Sequence, residues 1–439
     1  MNDVIQQACY GARPATAQAE ALSRSQPELD PLIPSSRKEE MSPDPTAKRG
    51  CLGGDTLAGD RLSDLPDGLL HTIMSFLPAP HVVQTSVLSR RWRDLWRSTP
   101  CISIEEHDFP ITRRVGSDLQ DRDEKWRNLE NFTTNLFMFH NNVASLDKFR
   151  IYIDVSHASA LRVRDMDRWL RRGIKYSPQV LEILISRWCH LVTFPHMGAS
   201  SCRLKRLHLH GLHLDNQFAE LLCSGSPVLE DLELRSCRKS FQEFKSRTLK
   251  RLVIDCCDNV TGGLVVITTT SLVKASIHLL CLGETFSFKH QRWLLGNLCN
   301  VPDLELYGFQ TMAMLVEESV EFPIFTDLKT LSLELCFLDK CDLNNKLDAL
   351  GSFVQNAPFL EKLTLQCCMF EVESEKEGQL VRKNIILQPQ DQDTFRCPML
   401  KFIEVVYMAD HDHQLVELLW GIGRRLPDAS IILTNFFTD

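Results

Sequence analysis

Residues 229–237 read LEDLELRSC, with leucine at 229, 232 and 234 and cysteine at 237. The same arrangement returns at Leu204-Leu207-Leu209, Leu249-Leu252-Ile254, Leu328-Leu331-Leu333 and Leu360-Leu363-Leu365. Looser copies are Leu146-Phe149-Ile151, Leu272-Ala275-Ile277, Val301-Leu304-Leu306 and Leu400-Ile403-Val405, and a degenerate copy begins at Leu181. From 181 to 272 the first positions lie 23, 25, 20 and 23 residues apart, and later intervals of 29, 27, 32 and 40 imply longer connections. Cysteine stands eight positions after the first residue in five units, at Cys189, Cys237, Cys257, Cys336 and Cys368. Apolar residues two apart share one face of a strand, so each unit supplies a short strand with a leucine-lined face. One unit alone leaves that face wet. Stacked neighbours bury it, at ~1.5–3 kcal/mol per large side chain, and stabilise units that would not fold singly.

A leucine pattern at intervals of 20–29 residues, with a small residue where the chain leaves the strand, is that of a leucine-rich repeat. The expected fold is therefore α/β: a solenoid whose curved parallel sheet is backed by helices on the convex side. Residues 218–223, 347–353 and 414–422 read as returning helices. The amphipathic run 126–139 is expected to join the N-terminal region to the first repeat and cap its open edge, and 374–392 reads as a surface loop. If the leucines face inward, the residues between them face the concave side. Candidate target-binding residues are accordingly Arg206, His208, His210, Glu233, Arg235, Asp255, Glu334 and Gln366. Their mixture of charge signs points to a polar protein surface as partner.

Residues 62–104 are of another kind: LSDLPDGLLHTIMSFLPAPHVVQTSVLSRRWRDLWRSTPCISI. Leu65, Leu69, Leu70, Ile73 and Leu77 recur at helical spacing, and Asp64 and Asp67 suit a helix N-terminus. Pro78 and Pro80 end that helix. A short second helix is expected near 81–86, and a third carrying Val87, Leu88, Trp92, Leu95 and Trp96. Three helices in so short a segment make a poor core alone, and the apolar residues exceed one inward face, so a helical partner is the natural cover. Arg90, Arg91, Arg93 and Arg97 among Trp92 and Trp96 also admit a basic-aromatic nucleic-acid surface, although arginine stems more often cover apolar surface.

This segment closely resembles the F-box, by which substrate receptors dock on the Skp-type adaptor of cullin–RING ubiquitin ligases. The likeness runs through Leu65-Pro66, Leu69-Leu70, Ser75-Phe76-Leu77, Val82-Val83 and 86–92 to Leu95-Trp96. Gly68 departs from it, standing where many members carry an acidic residue. The resemblance implies an adaptor contact through Leu65, Pro66, Leu69, Leu70, Ile73, Leu77, Val82, Val83, Leu88 and Trp92. Periodicity leaves open which of these face the partner and which the F-box core. An F-box followed by irregular leucine-rich repeats looks like the large plant F-box/leucine-rich-repeat group, whose usual first repeat is similar to Asp167-Arg168-Trp169-Leu170 leading into Val180-Leu181-Glu182. The stretch from Phe395 resembles the FBD domain of some members. The expected organisation is a disordered tail (1–60), an F-box (61–104), a linker and helical cap (105–145) and a repeat array (146–439), with 395–439 FBD-like.

Composition supplies the exclusions. The chain has 439 residues, and its 57 acidic and 49 basic residues give a net charge of −8, which argues against binding nucleic acid through phosphate contacts. Apolar runs stop at about five residues, as at 312–316, so no membrane span is expected. No basic start followed by an apolar stretch opens the chain, and a nuclear or cytoplasmic location is expected. The sixteen cysteines should then be mostly free thiols packed as small hydrophobes. Gly262-Gly263 lacks the residues of a phosphate loop, Cys256-Cys257 and Cys367-Cys368 lack zinc spacing, and His411-Asp412-His413 reads as a solvated turn. No catalytic residue, metal or cofactor is expected. The reading is a non-catalytic substrate receptor, with cullin and RING subunits reached through the adaptor and a target protein held by the repeats. The alternatives are a repeat scaffold without ligase assembly, a small-molecule receptor and a nucleic-acid binder.

Overall fold

The computed structural model describes residues 62–109, 118–140, 143–154, 160–186, 192–241, 243–255, 257–259, 266–269, 271–279, 288–315, 322–369, 394–407 and 412–435. The readings made for the tail 1–60, the loop 374–392, Cys189, Cys256, Gly262-Gly263 and His411 lie outside the described residues.

One parallel sheet of twelve strands carries the repeats, and its spatial order is the chain order. The strands are β1 (Cys101–Glu105), β2 (Lys148–Asp154), β3 (Val180–Ser186), β4 (Arg206–His210), β5 (Asp231–Arg235) and β6 (Arg251–Asp255), followed by β7 (Lys274–His278), β8 (Asp303–Tyr307), β9 (Thr330–Glu334), β10 (Lys362–Gln366), β11 (Phe402–Tyr407) and β12 (Ser430–Asn435). Register puts the second repeat leucine of each unit beside that of the next, as in Leu207↔Leu232, Leu232↔Leu252, Leu304↔Leu331 and Leu331↔Leu363. These residues are fully buried. The inner face is thus one continuous apolar ladder, which a one-residue slip on any strand would turn toward solvent.

The cysteine slot has a hydrogen-bonding reason. The Sγ of Cys237, Cys257, Cys336 and Cys368 donates to the carbonyls of Leu209, Leu234, Leu306 and Leu333, each on the preceding strand. All four thiols are buried. Each ties the end of one unit to the strand before it. In several units the residue ahead of this slot is left-handed, as at Gly211, Ser236, Gly308, Leu335 and Cys367. That turn aims its N–H at the last carbonyl of the following strand.

Three expectations are corrected. Leu181 pairs with Leu207 and with Phe149, so it occupies the second repeat position; Pro178 holds the first, and the slot eight positions on is Ser186. The sheet begins at β1, inside the segment assigned to the F-box, because the alternation in CISIE lets Ile102 and Ile104 join the buried face. The amphipathic run is α3 (Asp118–Phe139) and lies between β1 and β2. It is therefore a returning helix of the array and not an edge cap: its Trp126 meets Trp169 of α4 (Ala160–Lys175), ring centroids 5.5 Å apart.

Of the remaining helices the last two contain the expected runs 347–353 and 414–422, the expected run 218–223 is split between an α-helix and a π-helical turn (Leu221–Gly225), and the two in between were not expected. In chain order these helices are α5 (Asn216–Glu220), α6 (Phe288–Gly296), α7 (Thr311–Leu315), α8 (Leu343–Gln355) and α9 (Asp412–Arg425). Between α5 and α6 the returning layer includes a two-stranded pair, Glu243–Ser246 with Val266–Thr269. In the N-terminal helical region only two α-helices form, Asp67–Met74 and Ala79–Gln84, and 85–98 contains the 3-10 turns Thr85–Val87 and Leu95–Ser98 in place of a third helix. Side-chain bonds hold that stretch to the segment ahead of the first helix. Trp92 Nε1 donates to Ser63 Oγ at 3.1 Å, Ser63 Oγ meets Ser89 Oγ at 3.0 Å, and Arg91 donates to the Ser63 and Leu65 carbonyls. The local helix gives way to tertiary bonds.

His140 joins this helical module to the array. Its Nε2 meets the Thr99 carbonyl at 2.9 Å, its own carbonyl accepts the Tyr176 hydroxyl at 2.6 Å, and its Nδ1 has no hydrogen-bond partner. The ring is fully buried. Burial holds its pKa below the ordinary 6.5, against the raising effect of the Thr99 carbonyl. The unfolded chain therefore takes up a proton first as pH falls. Stability contributed by neutral His140 is intact above about 6.5 and is lost below it, as pH approaches the folded value. Thermal unfolding followed from neutral pH to about pH 5 should show a falling midpoint. His140→Gln, which can still donate to Thr99, should flatten that slope, and an equal slope in both proteins would remove His140 as its source.

Candidate interaction surfaces

The N-terminal module has two apolar faces because its first helix is apolar at consecutive positions. Leu70, Met74, Val82, Trp92, Leu95 and Trp96 are buried together. Leu65, Leu77 and Val83 are half-buried against that core. Leu69, Ile73 and Leu88 stay exposed, as do Phe76 at 82% and Val87 at 84%, while Pro66 is exposed at the helix start. Of the residues assigned to the adaptor contact, then, Leu70, Val82 and Trp92 serve the internal core, since a side chain packed there has no surface left to offer. Phe76 and Val87, which are exposed on the same module, were not among the residues assigned. The signal for Phe76 lay in its spacing from Leu69 and Ile73, which puts all three on one helical face.

A patch of this size on so small a module marks a protein contact. Two of its four arginines are spent within the chain, while Arg90 and Arg93 stand exposed. Arg91 pairs with Asp67 at 2.7 Å, and Arg97 pairs with Asp94 and lies over the Trp96 and Phe139 rings at 5.6 and 5.7 Å. The Arg97 stem thus covers apolar surface, and Arg91 and Arg97 are not left as free cations for phosphate.

The second surface is the open face of the sheet, opposite the helices. All eight residues assigned to target contact stand there, at alternate positions of β4, β5, β6, β9 and β10. Five of them belong to a continuous ion-pair ladder. Arg206 and His208 meet Asp231 at 3.2 and 3.4 Å, Arg235 joins Glu233 at 2.6 Å to Asp255 at 2.8 Å, and Arg251 reaches both Asp231 and Glu233. Burial alone would raise the Asp231 and Glu233 carboxyls, but bonds from His208 and Arg251, and from Arg235, hold both below the usual range. His210 is kept below its ordinary value by burial and then by Arg235. The ladder extends to residues that were not singled out, because their repeats are degenerate. Lys148 and Arg150 meet Glu182, Lys274 meets Asp303 and Glu305, and His278 meets Asp255 and stacks on Tyr307 at 4.9 Å. Glu334 and Gln366 bond to each other at 3.1 Å.

Most of the charge on this face is thus held in place by a neighbour of opposite sign. Among the described residues no cluster of three or more histidine, cysteine, aspartate or glutamate side chains could hold a metal, and no helix is long and apolar enough to cross a membrane.

A two-faced helical module continuous with a leucine-rich parallel sheet defines an F-box protein of the leucine-rich-repeat type. The F-box domain family model matches residues 62–103. The rice (Oryza sativa subsp. japonica) meiotic F-box protein MOF is 31% identical over 392 residues, covering 79% of this chain and 80% of that protein. An FBD-associated F-box protein of Arabidopsis thaliana is 26% identical over 73% of this chain and 78% of its own length. An F-box/LRR-repeat protein of the same plant is 30% identical over 52% and 49%. The chain belongs to the plant F-box/leucine-rich-repeat proteins.

Proposed function

We propose that this protein is the substrate-recognition subunit of a Skp–cullin–F-box ubiquitin ligase. Its F-box docks on the Skp-type adaptor, which links it to the cullin and RING subunits, and the open sheet face holds a target protein. The subunit is non-catalytic. Its contribution is proximity, raising the effective concentration of target lysines near the charged ubiquitin carrier. The reading is carried by the exposed face of Leu69, Ile73, Phe76, Val87 and Leu88 on a module whose core is already filled without them. The same reading places it in the nucleus or cytoplasm, with its buried thiols reduced, and makes 395–439 an FBD-like end to the array.

Charging the exposed face tests this. Val87→Asp with Leu88→Asp should abolish co-purification with a Skp-type adaptor and leave the thermal unfolding midpoint within about a degree of wild type, because surface changes cost within ~0.5 kcal/mol. Leu65→Ala with Pro66→Ala should weaken capture and lower the midpoint as well, since Leu65 packs on the core. Full adaptor capture by the charged variant would move the contact off this face, and failure of the wild-type chain to capture an adaptor would leave the repeat scaffold without ligase assembly as the better reading.

A further inference from the structure

On the open face of the sheet, Glu334 stands apart from the carboxylates around it. Glu105, Glu182, Asp231, Glu233, Asp255, Asp303, Glu305 and Glu404 each have a basic side chain in ion-pair distance. Among the described residues Glu334 has none, and its single side-chain hydrogen bond there is the one it accepts from the Gln366 amide. It is half-buried, between Tyr307 of β8 and Gln366 of β10 in register. Burial raises its pKa, His278 works against that rise, and Glu305 and Asp255 add to it. Its neighbours on β9 and β10, Thr330, Ser332 and Thr364, are uncharged. Binding to the ladder on β4–β6 would require ion pairs to be broken. Binding here would supply one that is missing.

We propose that Glu334 is the anchor for a lysine or arginine side chain of the target. A cation brought to Glu334 supplies the compensation that the carboxylates on the neighbouring strands have within the chain, and a charge-assisted bond of this kind is the strong sort. The surrounding hydroxyls and the free oxygen of the Gln366 amide leave acceptors for the remaining N–H groups of a guanidinium. The anchor is local: the target need be basic only at the residue that reaches β9. The inference rests on the reading of the open face as the target surface, and it names the chemistry selected there.

The test uses the full chain, immobilised and probed with an array of random-sequence peptides, in wild type, Glu334→Gln and Glu334→Lys. Glu334→Gln keeps an acceptor for Gln366 and should leave folding intact. Retained peptides should be enriched in lysine or arginine at one position, binding ten- to a hundredfold more weakly to Glu334→Gln, about the loss of one hydrogen bond to a charged group. Glu334→Lys should shift the preference at that position to aspartate or glutamate. No peptide retained, a motif without a basic residue, or a motif unchanged in Glu334→Gln would each overturn the proposal. Adaptor capture by the same preparation reports separately on the ligase reading, so the two fail independently.

Discussion

Gly211→Ala is expected to destabilise the array by more than ~3 kcal/mol, in the tail of what single substitutions do. Gly211 follows β4 with φ +75°, where a side chain is strained, and a Cβ there would overlap the Ile185 carbonyl oxygen of the preceding strand. That oxygen is backbone in the middle of the sheet and cannot swing aside. The left-handed conformation alone costs of order 1–3 kcal/mol for a non-glycine residue, and the overlap adds to it by forcing β3 and β4 apart. Ser236 is the control, since it takes the same turn after the next strand with φ 46° and already bears a side chain. Ser236→Ala should cost within ~0.5 kcal/mol. Urea unfolding of the two variants checks this, and equal midpoints would show that the turn after β4 has room the geometry denies it.

That contrast also bears on what was legible in the chain. The interior ladder could be read because the leucine spacing is imposed by every neighbour at once: Leu232 must match Leu207 and Leu252 in size and facing. The ends of the sheet could not. β1 and β12 have one neighbouring strand each, so CISIE and SIILTN satisfy a weaker constraint and lack the three-position signature. The degenerate third unit was misregistered because Pro178 fills the slot that a leucine fills elsewhere, and the nearest leucine then posed as the first. In the F-box, helical periodicity found the apolar residues but could not divide them, since Leu69-Leu70 and Ile73-Met74 are apolar on adjacent faces and only packing decides which pair members are covered. The open-face residues were found by alternation alone. Their pairing was not, because Arg251 meets Asp231 and Glu233 through strand register, and no local pattern shows that Glu334 is left without a cation.

The division within the F-box leads to the second large expected effect. Trp92→Ala should cost ~3–5 kcal/mol, as truncation of a buried aromatic side chain does, because Trp92 is 2% exposed and its indole N–H is held by Ser63. The loss removes both the filling of the small core and the bond that ties 85–98 to the segment ahead of the first helix. A module this small has little stability to lose, so the F-box should open while β2 to β11 keep their two-sided pairing. Hydrogen exchange distinguishes this from a surface effect. In Trp92→Ala, amides of 67–98 should lose protection while those of the interior strands keep theirs, and adaptor capture should fail with it. In the variant with Val87→Asp and Leu88→Asp, capture should fail with protection unchanged. Protection lost throughout the array in Trp92→Ala would instead mean that the F-box and the first strands unfold as one unit, coupled through β1 and His140.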